Sequence, residues 1–333
     1  MSSEPVDPSN VLAPCWAGSR SPISRRDWPV RSCGTVAENA DPAIEGPDPE
    51  LSIVIPAFNA AATILDQLQA LAGQQWAPGF EIIVADNGST DETAVLVGAF
   101  AASRPFVRLI TAAEQRGPSY ARNAGVSRAR GHLVAFCDAD DMVGDQWVSA
   151  MGEGLLRSVA VTGPQDQQQL NPPWLRNVYG SALATGAQTF AGIFPFGASA
   201  NLGVRRETFL RFGGFDTSLS VGEDIDLCLR LWHGGIELEF APMAVVHYRN
   251  RTSMAALWKQ AVRYGAAAPM IARRLAALHR STPPAWRGLK NWVWLLRRLG
   301  SLRSKAGRAR WVVVAGNATG RLLGSIRHRH LYL

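Results

Sequence analysis

Two kinds of hydrophobic patterning alternate along the chain from residue 51. Leu51-Ser-Ile-Val-Ile-Pro56 and Glu81-Ile-Ile-Val-Ala85 are short, nearly continuous apolar runs, as in strands buried on both faces. Between them Ile64, Leu65, Leu68 and Leu71 recur at helical spacing, and a second helix passes through Val95 and Phe100, with Thr90 or Asp91 as its N-cap. The pattern predicts a third strand over 106–110, a helix over 118–130 and a fourth strand over 132–137. Strand and helix in alternation imply an open α/β sheet of parallel strands, which binds ligands beyond its carboxyl edge. The polar clusters Pro56–Asn59, Asp86–Asp91 and Asp138–Asp141 each follow a strand directly, so they should converge at that edge.

The second half is less regular. Residues 165–174, rich in Gln and Pro, read as part of a long loop. A strand is expected over 198–204, a helix over 205–212, a turn at Gly213-Gly214, a helix over 223–234, a strand over 236–240 and an extended piece at 245–248. Beyond residue 252 the chain reads as helical.

Composition narrows the class. Of 333 residues, 47% are apolar and 18% charged, which is a globular balance. Residues 1–50 hold eight of the 20 prolines and no periodicity, and read as a disordered extension. Cys15, Cys33, Cys137 and Cys228 lack zinc-type spacing and are too few to staple the fold. No run reaches the ~18–20 apolar residues of a membrane span, and residues 1–30 lack a secretory apolar core, so a cytoplasmic location is expected. The net charge of +7 conceals a split: residues 251–333 carry 17 Lys and Arg and no acid, while residues 1–250 carry 17 Lys and Arg against all 27 acids. A basic tail on an acidic body points to an anionic partner for the tail.

Four clusters can carry chemistry. Asp138, Asp140 and Asp141 lie within four residues after an apolar strand and repel one another unless a cation neutralises them. Mg2+ or Mn2+ fits such a group together with diphosphate oxygens, though an acidic turn would look the same. Glu223, Asp224 and Asp226 open a helix, either as favourable N-terminal charges or with a general base among them. His247 is followed by Arg249 and Arg251, a cation ligand beside two groups suited to a diphosphate. Arg116 and Arg122 lie at a helix start among small residues, where they could face phosphate oxygens or simply be solvated.

Taken together, LSIVIPAFNA (51–60), EIIVADNGSTDET (81–93), RGPSYARNAG (116–125), LVAFCDADD (133–141), GASANLGVRRETFLRFGGFD (197–216), GEDIDLCLRL (222–231) and VVHYRNR (245–251) resemble the family 2 glycosyltransferases of the GT-A fold. The resemblance covers roughly residues 50–252. It implies a Rossmann-like, mixed but mostly parallel sheet flanked by helices, with residues 51–252 as the catalytic domain and 253–333 as a basic helical extension. It also implies a nucleotide-sugar donor. In that reading Asp86 binds the base, framed by Pro56 and Asn59. Asp138 and Asp140 lie at the ribose and sugar-phosphate, Asp140 or Asp141 holds Mg2+ or Mn2+, and His247 completes the metal or diphosphate site. Asp224 is the catalytic base, supported by Glu223, which implies inversion. Two departures stand out: Asp86-Asn87 replaces a common Asp-Asp pair, and Gln260-Ala-Val-Arg263-Tyr264 only loosely matches the Gln-x-x-Arg-Trp of processive members. Transfer of one or a few sugars is therefore expected.

The tail adds Trp292-Val-Trp-Leu-Leu296 beside Arg297 and Arg298, the look of an interfacial helix on the anionic inner leaflet, where an envelope glycan or lipid-linked acceptor would be met. The same residues could instead form a hairpin packed on the body. A nucleic-acid-binding tail is the alternative from another class, but the acidic body and the lack of any nucleic-acid module weigh against it. A GT-A nucleotidyltransferase would carry a Gly-rich basic loop after the first strand, which residues 57–64 do not provide.

Overall fold

The first three apolar runs form the middle and one edge of a single sheet. In the computed structural model, which describes residues 48–179, 183–280 and 288–332, β1 (Leu51–Ala57) pairs in parallel with β2 (Phe80–Asp86) and β4 (Leu133–Phe136), and β2 pairs with β3 (Val107–Thr111). Ile53, Ile55, Ile82, Val84 and Ala135 are sealed from solvent, as strands covered on both faces require. Helices α1 (Ile64–Ala72), α2 (Thr93–Ala101) and α3 (Pro118–Ser127) connect these strands. The Pro-rich extension expected over 1–50 lies, but for its last three residues, outside the described residues, as do Cys15 and Cys33.

The second half adds β5 (Met142–Val143), α4 (Trp147–Arg157), β6 (Ala160–Thr162), β7 (Gln165–Asp166), β8 (Gln188–Phe190), β9 (Phe194–Phe196), β10 (Leu202–Arg205), α5 (Arg206–Arg211), α6 (Glu223–His233), β11 (Leu238–Phe240) and β12 (Val246–His247). The central sheet runs β11-β6-β10-β4-β1-β2-β3, and β10 is antiparallel to both of its neighbours. The sheet is therefore mixed and mostly parallel. The expected strand over 198–204 begins later, at Leu202, after a tight helical turn over Ser199–Asn201. The expected loop at 165–174 contributes β7 to a small sheet, β5-β12-β7. That sheet matters for the site: its register sets His247 opposite Met142, the residue after Asp141, and opposite Asp166.

The tail is helical, with α7 (Met254–Ala277), α8 (Leu289–Arg297) and α9 (Lys305–His328). Helices α7 and α9 lie close because Gly316, Gly320 and Gly324 recur every four residues. A Cβ on Gly316 would stand 2.8 Å from the Ala261 Cβ, and one on Gly320 would meet the Val262 carbonyl. Helix α7 is fastened to the body: Arg274 bonds both Asp216 (2.7 Å) and Asp226, and Arg263 donates to the Ser220 carbonyl at 3.1 Å. No described helix is long and apolar enough to cross a membrane.

Candidate active site

Two loops tie the ends of β1 and β2 together. The Asn59 side chain accepts from the Thr90 N–H at 2.8 Å, and the Ser89 hydroxyl accepts from the Asn59 N–H at 3.0 Å. The Asp86 carboxylate, almost buried, accepts from the Ser89 N–H at 3.2 Å. Pro56, in β1 opposite Ala85, sits beside this network. Arg116 is exposed, its guanidinium 4.9 Å from the ring centroid of the exposed Phe58. Asn87 explains the departure from an Asp-Asp pair: its amide donates to the Ala112 and Gln115 carbonyls and accepts from the Gly117 N–H at 2.7 Å. A carboxylate there would face two carbonyl oxygens with no proton to offer.

At the end of β4, Asp138, Asp140 and Asp141 offer carboxylate oxygens that all lie within 4.8 Å of one another. Asp141 is fully buried. One of its oxygens accepts from the Arg249 N–H at 2.8 Å, and the other has no hydrogen-bond partner. Burial, then the charges of Asp140 and Asp138, push the Asp141 carboxyl well above the usual carboxylate range. Asp140 is raised as well, by burial and by Asp138, with Arg251 opposing at 3.1 Å. A buried carboxylate oxygen left orphaned beside two more carboxylates fits a hard divalent cation. His247 lies outside this trio, its Nδ1 2.8 Å from the Asp166 carboxylate. Arg249 spans the rim, bonding the Asp140 carbonyl through Nε (2.9 Å) and Asp66 through Nη2 (3.2 Å).

Helix α6 brings the second acidic pair. Gly222 starts it with a φ of +85°, and a Cβ there would stand 3.1 Å from the Ala267 Cβ, so a left-handed residue without a side chain lets α6 begin directly beneath α7. Glu223 is buried against Arg122 at 3.1 Å, and the same guanidinium reaches Asp138 at 2.6 Å. Arg122, expected to face phosphate, is thus enclosed between carboxylates from β4 and α6 and joins the two acidic clusters. Burial, then Asp224, push Glu223 up to about 7. Asp224 is raised by burial, while its carboxylate accepts from the Ser199 N–H (3.1 Å) and the Ile225 N–H (2.8 Å). Asp226 turns away from the pair, bound to Arg230 and Arg274.

Helix α7 supplies the opposite wall. Gln260 bonds the hydroxyls of Tyr179 (3.1 Å), Tyr248 (3.2 Å) and Tyr264 (3.2 Å). Sequence patterning gave no role to Asn201, which is fully buried and ties three distant segments together. It accepts from the Trp147 indole (2.8 Å) and donates to the Pro164 and Ala244 carbonyls (3.0 and 2.8 Å). Asp166 was equally silent, since its partner lies 81 residues away.

Comparison with known proteins agrees with this geometry. The glycosyl transferase family 2 model matches residues 52–212, and that of glycosyl transferase family group 2 matches residues 133–321. The chain is 28% identical over 262 residues to the pre-mycofactocin glycosyltransferase of Mycobacterium tuberculosis, covering 76% of this chain but only 53%, about half, of that relative's length. Among solved structures it is similar to the mannosyltransferase PcManGT from Pyrobaculum calidifontis in complex with GDP-Man and Mn2+, with a TM-score of 0.58 and 18% identity over 90% of this chain and 93% of that one. It is also similar to residues 1–349 of S. aureus TarS in complex with UDP-GlcNAc, with a TM-score of 0.50 and 15% identity over 85% of this chain and 93% of that one. Sheet, acidic trio and family matches together define a GT-A-type glycosyltransferase. The chain belongs to glycosyltransferase family 2.

Proposed function

We propose that this family member moves a sugar from a nucleotide-sugar donor to an acceptor hydroxyl, with inversion and with Mg2+ or Mn2+ as cofactor. One arrangement carries the reading: an acidic trio with an orphaned buried oxygen, joined through Arg122 to a second acidic pair on α6. Support comes from the likeness in fold to a mannosyltransferase whose structure holds GDP-Man and Mn2+.

In this reading Asp86, Pro56 and Asn59 hold the base, with Arg116 at its edge. Asp138 and Asp140 lie toward the ribose and sugar-phosphate. Asp140 and Asp141 hold the cation, with His247 completing the metal or diphosphate site. Bound there, the cation would neutralise charge on the departing nucleoside diphosphate. Arg249 and Arg251 stand beside the trio and meet the same oxygens. Asp224 takes the acceptor proton: two backbone N–H groups fix its carboxylate, and its raised pKa makes it a better base than an exposed aspartate. Glu223 supports it from the Arg122 clamp. The acceptor is an envelope glycan or a lipid-linked sugar, met by a cytoplasmic protein at the inner leaflet, and transfer stops after one or a few sugars.

The test is a panel of UDP-, dTDP- and GDP-sugars with Mg2+, Mn2+ or chelator. One donor should bind and turn over only with metal. Asp140→Ala should abolish metal-dependent donor binding. Asp224→Asn should keep binding and lose ~10²–10⁴ in turnover. Full turnover by Asp224→Asn would remove the base assignment.

A further inference from the structure

Helix α8 wears its apolar stripe on the outside. At 100° per residue, Leu289, Trp292, Val293 and Leu296 fall in one arc of about 100°, and all four are exposed, Leu296 by 70%, as is Leu299 just beyond the end of the helix. Leu295 is the one buried side chain of the helix. The inner side is already occupied: the Trp311 indole donates to the Leu295 carbonyl at 3.1 Å, and Arg310 stands 5.7 Å from the Trp294 ring. A helix serving the core turns its apolar arc inward, and one serving only solvent has no such arc. Lys290 and Arg297 border the stripe, Arg298 and Arg303 follow it, and all four are exposed. No acidic residue occurs anywhere in 251–333 to pair with them.

We propose that α8 lies in the headgroup region of an anionic bilayer. Leu289, Trp292, Val293, Leu296 and Leu299 enter the acyl boundary, while Lys290, Arg297, Arg298 and Arg303 meet lipid phosphates. Charge selects this occupant: a second copy would bring the same cations face to face, whereas an anionic leaflet offers both apolar depth and opposite charge. Helices α7 and α9 pack on each other through the glycine row, so that face of the pair is closed. The inference refines the inner-leaflet location but does not rest on sugar transfer.

The experiment is flotation of the full chain with phosphatidylcholine vesicles, with and without about one part in three of phosphatidylglycerol, in chelator and without donor. Transfer chemistry is absent from this assay, so its outcome and that of the donor panel are separable. Binding should be at least about tenfold stronger to the anionic vesicles and should weaken with salt. Leu296→Asp, at the most exposed position of the stripe, should lower it about tenfold with an unchanged melting temperature. Lys290→Glu with Arg297→Glu should abolish the preference for anionic lipid. Equal binding to both vesicles would overturn the proposal, as would unchanged binding by Leu296→Asp. So would a wild-type dimer that Leu296→Asp dissolves, since a second copy would then own the face.

Discussion

Arg122 and Glu223 meet inside the protein, Nη1 to Oε1 at 3.1 Å, with side chains 3% and 10% exposed. The other arm of the guanidinium holds Asp138 at 2.6 Å. One cation from α3 thus fixes the spacing between the end of β4 and the start of α6. Arg122→Met would leave Glu223 and Asp138 without a counter-charge, at a cost of about 3–5 kcal/mol. Arg122→Lys should fall in between, because one ammonium cannot make the two-armed contact. Denaturant midpoints and donor binding measured on both variants check this; a wild-type midpoint for the Met variant would refute the clamp.

The Glu223 environment makes stability depend on pH. Burial and the charge of Asp224 push its carboxyl up to about 7, while Arg122 pulls the other way and Asp138 adds a further negative charge. An acid whose pKa rises on folding favours the fold while protonated. Its contribution is complete below about 4.5 and is lost as pH climbs through about 7. In chelator, wild type should therefore lose up to about 3 kcal/mol relative to Glu223→Gln across that window. Melting curves of the two proteins at matched pH measure the difference, which should be flat if Glu223 is unshifted.

Arg251 stands against the acidic trio, with Nη1 3.1 Å from the Asp140 carboxylate and its side chain 55% exposed. So exposed a pair contributes about 0–1 kcal/mol. Arg251→Ala should then tighten Mn2+ binding by no more than about fivefold while raising the donor KM, because in the proposed reading the same arginine meets the diphosphate. Calorimetry with Mn2+ alone and donor titration at saturating metal separate the two effects. A weaker metal site in the variant would contradict this account.

Asn87→Asp restores the commoner acidic residue and should be harmful here. The new carboxylate would face the Ala112 and Gln115 carbonyls. Two lost donations and a buried repulsion should cost on the order of 2–3 kcal/mol. A melting temperature equal to that of wild type would show that the loop rearranges freely.

Strands β1, β2 and β4 were legible because burial on both faces leaves an unbroken apolar run, and the polar residues after each run were legible as the binding edge. Helix α4 could have been found: Trp147, Met151 and Leu155 recur every four residues and are all buried. Strands β5 and β7 could not, since two-residue strands have no period and exist only through partners across the fold, whereas β12 falls inside the extended piece expected over 245–248. The acidic trio announced itself by adjacency. The Arg122 clamp did not, because Arg122 and Glu223 are 101 residues apart and only the fold makes them neighbours. Asn201 stayed hidden for the same reason: its three bonds go to Trp147, Pro164 and Ala244.

The reach of Arg274 from α7 into the body has a practical corollary. Asp216 and Asp226, 8% and 0% exposed, are both bound by that guanidinium, Asp226 sharing it with Arg230, and Asp226 belongs to the same first turn as Glu223 and Asp224. A stop codon after residue 252 would follow the change in charge along the chain, yet it would strip the first turn of α6 of one of its braces. Anyone trimming this enzyme for expression should keep α7, and an isolated 51–252 fragment should be expected to precipitate or to fold with an idle centre.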